Sequence, residues 1–208
     1  MKRSRIVIVV AVVGVVAAIY LSLPKAEVDP AAYAAQIQKD RKEKDEFMRS
    51  GDGSPFVADS VLFSGLAYFP PDPSYQITAR LEPITKKEVM VLGTSDGQTK
   101  TYLPYAFAHF DLGGKKNRLL ILEVMDPGPF RGTLFLAFAD ATSTTETYGA
   151  GRYLDVKKVA GATTIILDFN KAYNPYCAYT DTYSCPLPPR ENVLEIPIPA
   201  GEKLYTSR

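Results

Sequence analysis

His109 and Asp111 stand two apart in "AFAHFDL". A strand there puts both side chains on one face, where an imidazole beside a carboxylate can take and return a proton. Phe107 shares that face, and a strand histidine hydrogen-bonded in place is the commoner outcome. A richer set follows in "TYGAGRYLDVKK" and "LDFNKAYNPYC": Tyr148, Arg152, Asp155, Asp168, Asn170, Tyr173 and Asn174 bring a guanidinium, carboxylates, amides and phenols into neighbouring loops. Such groups recognise a small polar or anionic ligand through directional hydrogen bonds. The plainer reading pairs Arg152 with Asp155 or Asp168 and lets the remaining polar groups cap turns, Gly149 and Gly151 permitting a tight or left-handed turn ahead of the arginine.

The chain's two cysteines, Cys177 and Cys185, sit in the loop "YNPYCAYTDTYSCPLPPREN". In an oxidising compartment they would close a small disulfide ring worth about 2.6 kcal/mol on the chain-entropy model. Free thiols are the first alternative. Metal or redox chemistry is the second, although two thiols and a single histidine make a poor ligand set and the spacing is not C-x-x-C. No metal and no cofactor are expected. There is no G-x-S-x-G, no H-E-x-x-H and no phosphate-cradling glycine loop before a helix.

These residues need elements to position them. The chain of 208 residues suits one domain plus an appendage, and its 46% hydrophobic and 23% charged residues are those of a folded protein. Thirteen tyrosines, ten phenylalanines and 16 prolines lean toward strands and turns. From Val57 onward, "YQITARLEPI", "KEVMVLGTSDG", "TYLPYAFAHFDL", "NRLLILEVMD", "GTLFLAFADAT", "RYLDVKKV", "TTIILDFN" and "NVLEIPIPAG" read as strands, with "SDGQ" and "LGGKKN" as hairpin connections. No amphipathic helix of crossover length intervenes, so the expected fold is mainly β: a compact antiparallel β-sandwich or partly open barrel over 51–208. Before it, Asp29 as N-cap, Pro30 at the first helical position and a stop at "SGDGSP" define a charged helix over 29–50, read as a stalk because its apolar stripe is thin.

Lys2, Arg3 and Arg5 precede an apolar run from Ile6 to Leu23, whose length of roughly 27 Å approaches a bilayer core. Residues 1–28 therefore read as a signal-anchor spanning the membrane through 6–23, with a cleaved signal peptide or a buried helix as alternatives. The basic start places the N-terminus in the cytoplasm and the C-terminal domain outside it, anchored in the inner membrane or, if cleaved, periplasmic or secreted. Without those three residues the chain holds 21 basic and 23 acidic side chains, which is no nucleic-acid-binding surface.

"YGAGRYLD" (Tyr148 to Asp155) and "LDFNKAYNPYCAYTDTYSCPLPPREN" (Leu167 to Asn192) resemble the signature segments of the bacterial family catalogued as domain of unknown function 1684. "SGDGSPF" and "FSGLAYFPPDPSYQITARL" resemble its N-terminal part, so the likeness runs from about Glu43 to Lys203. It implies no particular activity, substrate or cofactor. The functional expectation is a membrane-anchored extracytoplasmic β-domain that binds a small polar ligand or an envelope protein. The alternatives are a hydrolase-like enzyme using a carboxylate with His109, and a structural envelope protein.

Overall fold

The structure, a computed structural model, describes residues 29–60 and 62–206. Helix α1 (Pro30–Ser50) begins where the Asp29 carboxylate accepts the Ala31 N–H at 3.0 Å and ends where the Gly51 N–H meets the Phe47 carbonyl. Tyr33, Ile37 and Met48 are its buried residues, and with Arg41 and Lys44 they follow the 3–4 spacing of one helix face. That face packs on the β-domain, from Tyr33 on Asp168 at one end of the helix to Met48 beside Tyr179 at the other. α1 is thus a docked layer and not a stalk. A short helix α2 (Pro55–Ala58), capped by the Ser54 hydroxyl, then brings Phe56 against Met48, Phe63 and Tyr179 in an aromatic cluster.

Strands β1 (Gln76–Pro83), β2 (Met90–Gly93), β3 (Thr99–Leu112), β4 (Lys115–Val124), β5 (Leu134–Phe135) and β8 (Thr164–Asp168) form one antiparallel sheet in the order β5-β4-β3-β1-β8, with β2 also paired to β3. The long β3 serves β2 through Thr99–Tyr102 and β1 through Ala106–His109 along one edge, and β4 along the other. Pro104, which has no N–H to give, stands at the register shift between these halves. The sheet does not close on itself. β6 (Ala137–Phe138) and β7 (Arg152–Tyr153) make a separate two-stranded ribbon.

The main core lies between the sheet, through Ala79, Ala108, Leu119, Ile121 and Leu167, and the ribbon with the C-terminal segment, through Phe138, Leu154, Leu194, Ile196 and Ile198. "GTLFLAFADAT" and "RYLDVKKV", read as full strands, yield only two-residue pieces. "NVLEIPIPAG" alternates buried and exposed as a strand would, but Pro197 and Pro199 lack the donors that a ladder needs. It is tied at single points, with Leu194 N–H on Ala139 O at 2.8 Å and Ala141 N–H on Ile196 O at 3.1 Å.

The expected membrane-spanning helix gains no support from the structure. None of the described helices is long and apolar enough to cross a membrane, and the longest, α1, carries nine charged residues among its 21. Residues 6–23 lie outside the described residues.

Candidate functional site

Beneath the middle of α1 lies a cleft of about 370 Å³. The helix supplies Ile37, Asp40, Arg41, Lys44, Phe47 and Met48, while Tyr68, Asp155 and the stretch Asn170–Tyr173 with Tyr176 form the opposite wall. Arg41 reaches across to donate to Phe69 O (2.8 Å) and Asn170 O (3.3 Å), and its guanidinium lies 4.5 Å from the Tyr68 ring centre. Lys44 donates to the fully buried Glu202 at 2.8 Å and stands 4.7 Å from the Tyr173 ring centre. At the rim Lys171 pairs with Asp40 at 2.8 Å.

Two atoms of this wall are left over. Arg41 Nε and the Tyr68 hydroxyl are buried and have no hydrogen-bond partner among the described residues. Asp45 Oδ1, one helical turn beyond Arg41, is in the same condition, and burial raises its carboxyl above the usual range. Burial chiefly, reinforced by Glu202 and Asp45, pushes the Tyr68 phenol far above its ordinary value, so it stays protonated and able to donate.

Of the residues singled out from the sequence, Asp155, Asn170 and Tyr173 line the cleft. The Tyr173 hydroxyl donates to Asp155 Oδ1 at 2.8 Å. Asn170 is spoken for: it exchanges two hydrogen bonds with the Asp72 backbone, at 2.9 and 2.7 Å. Asp168 lies behind the wall, accepting from the Tyr33 hydroxyl (2.7 Å), the Asn170 N–H (3.2 Å) and Gln76 Nε2 (3.2 Å). Asn174 is fully buried against Glu202, at 2.8 Å from Nδ2 to Oε1.

Arg152 stands apart from the cleft, in the core, 1% exposed. Its partner is neither Asp155 nor Asp168. It donates to Asp140 Oδ2 (2.8 Å), to Ile198 O (2.9 Å), to Glu202 O (3.3 Å) and to Ala200 O. The glycine ahead of it is obligatory, since Gly151 has φ +88° and a Cβ there would sit 2.6 Å from the Phe138 carbonyl oxygen.

His109 and Asp111 share a different, shallow depression with Arg80 and Lys116. His109 Nε2 lies 2.9 Å from Glu82 Oε2 without hydrogen-bond alignment, and Asp111 is exposed. Neither meets Arg152. No group of three or more His, Cys, Asp or Glu side chains is placed to hold a metal among the described residues.

The expected disulfide is corrected: Cys177 and Cys185 are free thiols. The Cys185 sulfur accepts the Cys177 N–H at 3.3 Å, and hydrogen bonds to the β2–β3 turn do the stapling. Ser95 N–H meets Cys185 O at 2.9 Å, Cys185 N–H meets Ser95 Oγ at 3.1 Å, and the Ser184 hydroxyl meets Asp96 at 2.8 Å. Tyr148 belongs to this thiol corner, with its hydroxyl 3.4 Å from Cys177 O and 3.8 Å from the sulfur. The thiol of Cys177 is lowered to about 6, chiefly by the hydrogen bond from Cys185 against the opposing effect of burial, while that bond and burial push Cys185 far up.

Sequence reasoning passed over Arg41, Lys44, Tyr68, Asp140 and Glu202. Asp140 had a signal in "DATSTT", an aspartate whose side chain accepts the Thr142 N–H at 2.8 Å in a local turn. Arg41 and Lys44 fill the gap between Ile37 and Met48 at helical spacing. Glu202 had none.

A family model described as protein of unknown function (DUF1684) matches residues 62–203. The chain is similar to the solution NMR structure of an uncharacterized protein from Haloarcula marismortui, with 39% identity, 84% of this chain and 96% of that one covered, and a TM-score of 0.61. The qualifier "bacterial" gains no support from these matches. No curated protein matches.

Proposed function

The chain belongs to the DUF1684 family, and we propose that the cleft under α1 binds a small ligand with an apolar body and an anionic or hydrogen-bond-accepting end. The observation that carries this reading is the pair of buried, unpartnered groups in the cleft wall, Arg41 Nε and the Tyr68 hydroxyl. Leaving each of them unpaired costs about 1–3 kcal/mol, a cost that an acceptor supplied by a ligand would relieve. Three cationic side chains, Arg41, Lys44 and Lys171, face two carboxylates, Asp40 and Asp155, around a floor of Ile37, Phe47, Met48 and Ala172. That mixture suits an acid with a hydrocarbon or aromatic part, and the volume is that of a small-molecule site. The scaffold beneath is read as a small open sandwich, the six-stranded sheet facing the ribbon and the Leu194–Ala200 segment. His109 and Asp111 lie outside the cleft and take no part.

The test is a thermal-shift screen of the full chain against small carboxylates and phosphates, since a ligand that binds the folded state must raise its melting temperature. Tyr68→Phe removes an unsatisfied hydroxyl and keeps the ring. Its melting temperature should match or exceed that of the parent, while the shift given by the best acid falls away. A variant that retains full affinity, or a screen in which no acid raises the melting temperature, would rule the reading out.

A further inference from the structure

A second cavity, of about 470 Å³, opens on the other side of Asp155 and Tyr173, which bound both. Its floor is a run of aromatic rings. Tyr102 stacks on Phe135 with centroids 5.1 Å apart at 21°, Phe135 meets Tyr153 edge to face at 4.9 Å, and Tyr153 meets Tyr173 edge to face at 6.0 Å. The Tyr153 hydroxyl is turned to Pro186 O (2.7 Å) and that of Tyr173 to Asp155 (2.8 Å), so two of the phenols present ring and not hydroxyl. Over this floor arches the β4–β5 connection, "MDPGPFRGT", held by Gly132 N–H on Val124 O and Thr133 N–H on Phe130 O, with Phe130 70% exposed at the cavity's lip.

The charges around the rings are unbalanced. Asp126 and Asp155 both line the cavity, and each has one oxygen engaged, Asp126 by the Thr101 hydroxyl at 2.9 Å and Asp155 by Tyr173. The lining's lysine, Lys100, is directed out to Ser184 O at 3.1 Å. We propose that this cavity is a binding site for a small organic cation of the alkylammonium class. The negative faces of the rings attract a diffuse positive charge, the apolar walls take its alkyl groups, and the carboxylates add a Coulombic attraction that a neutral molecule of the same shape does not receive. Tyr173 already has one ammonium, that of Lys44, against its ring. Asp155 and Tyr173 are shared with the first cleft, but Tyr102, Asp126, Phe130, Phe135 and Tyr153 line the second cavity and not the first, so the two readings can be tested separately.

The probes are choline and its uncharged carbon isostere, 3,3-dimethylbutan-1-ol, each titrated into the full chain and followed by the tyrosine ring resonances. Choline should bind at least tenfold more tightly than the alcohol and lose affinity as salt is raised. Asp126→Asn should weaken choline about three- to tenfold with the melting temperature unchanged, Phe130→Ala, at an exposed position, should weaken both probes, and Tyr68→Phe should change neither. Equal affinity for the two probes makes the cavity a plain apolar slot and overturns the proposal. So does absence of choline binding at tens of millimolar, or an Asp126→Asn variant that is folded and binds as the parent does.

Discussion

All four terminal N–H groups of Arg152 are engaged inside the core, on the Asp140 carboxylate and on three carbonyls of the C-terminal segment, those of Ile198, Ala200 and Glu202. Arg152→Ala should therefore cost about 3–5 kcal/mol in chemical denaturation, because it strands the Asp140 charge out of water. Adding Asp140→Ala should cost less than the two single losses combined, the stranded charge having gone with it. A loss below about 1 kcal/mol for Arg152→Ala would show that the guanidinium is not a structural tie. The thiol corner allows a pH test. With the Cys177 thiol lowered to about 6 by the Cys185 hydrogen bond, its alkylation by iodoacetamide should rise through a midpoint near that pH, where an ordinary thiol waits until about 8.5. Below the midpoint Cys177 is protonated and slow. Cys185→Ala withdraws the donor and should move the midpoint upward, read from the mass of the peptide carrying Cys177; an unmoved midpoint would dismiss the Cys185 hydrogen bond as the cause.

Helix α1 shows what a sequence discloses about an element and what it withholds. Its bounds follow from local chemistry, an aspartate cap, a proline and a glycine stop, all visible in a window of a few residues. Its role does not, because the middle of the docking face is Arg41 and Lys44, and their partners, the Phe69 and Asn170 carbonyls and Glu202, are supplied only by the fold. A cationic gap in an apolar stripe reads as solvent exposure until those acceptors are known. Ile37→Ala distinguishes the two arrangements: a docked helix loses about 2–5 kcal/mol from the whole cooperative transition, a free stalk loses almost nothing. The strands divide in the same way. The β3–β4 hairpin was legible from alternation and the Gly113-Gly114 turn, whereas the Pro-rich Val193–Ala200 segment keeps the alternation of a strand without its ladder.

At the scale of the molecule, Glu202 gathers what the chain separates. Its carboxylate accepts from Lys44 on α1 and from Asn174 and Tyr179 of the long loop, and its carbonyl from Arg152 in the core. Gly201 before it, with φ +78°, brings the backbone within reach of the Ala172 and Phe169 carbonyls, where a Cβ would collide at 2.6 Å. No local pattern announces such a hub, which is why the sequence singles out Asp155, Asn170 and Tyr173 beside the cleft but not the clasp that holds their loops to α1. Lys44 and Glu202 are 158 positions apart. At the usual pace of synthesis, about 5–20 residues per second, roughly 8–30 s pass between their additions to the nascent chain. Throughout that interval the Lys44 ammonium lacks its carboxylate, although Met48 already has Phe56 and Phe63 to pack on. The helix face is thus completed from its C-terminal end backwards, Met48 first and Tyr33 and Lys44 only when Asp168 and Glu202 have followed 135 and 158 positions behind them.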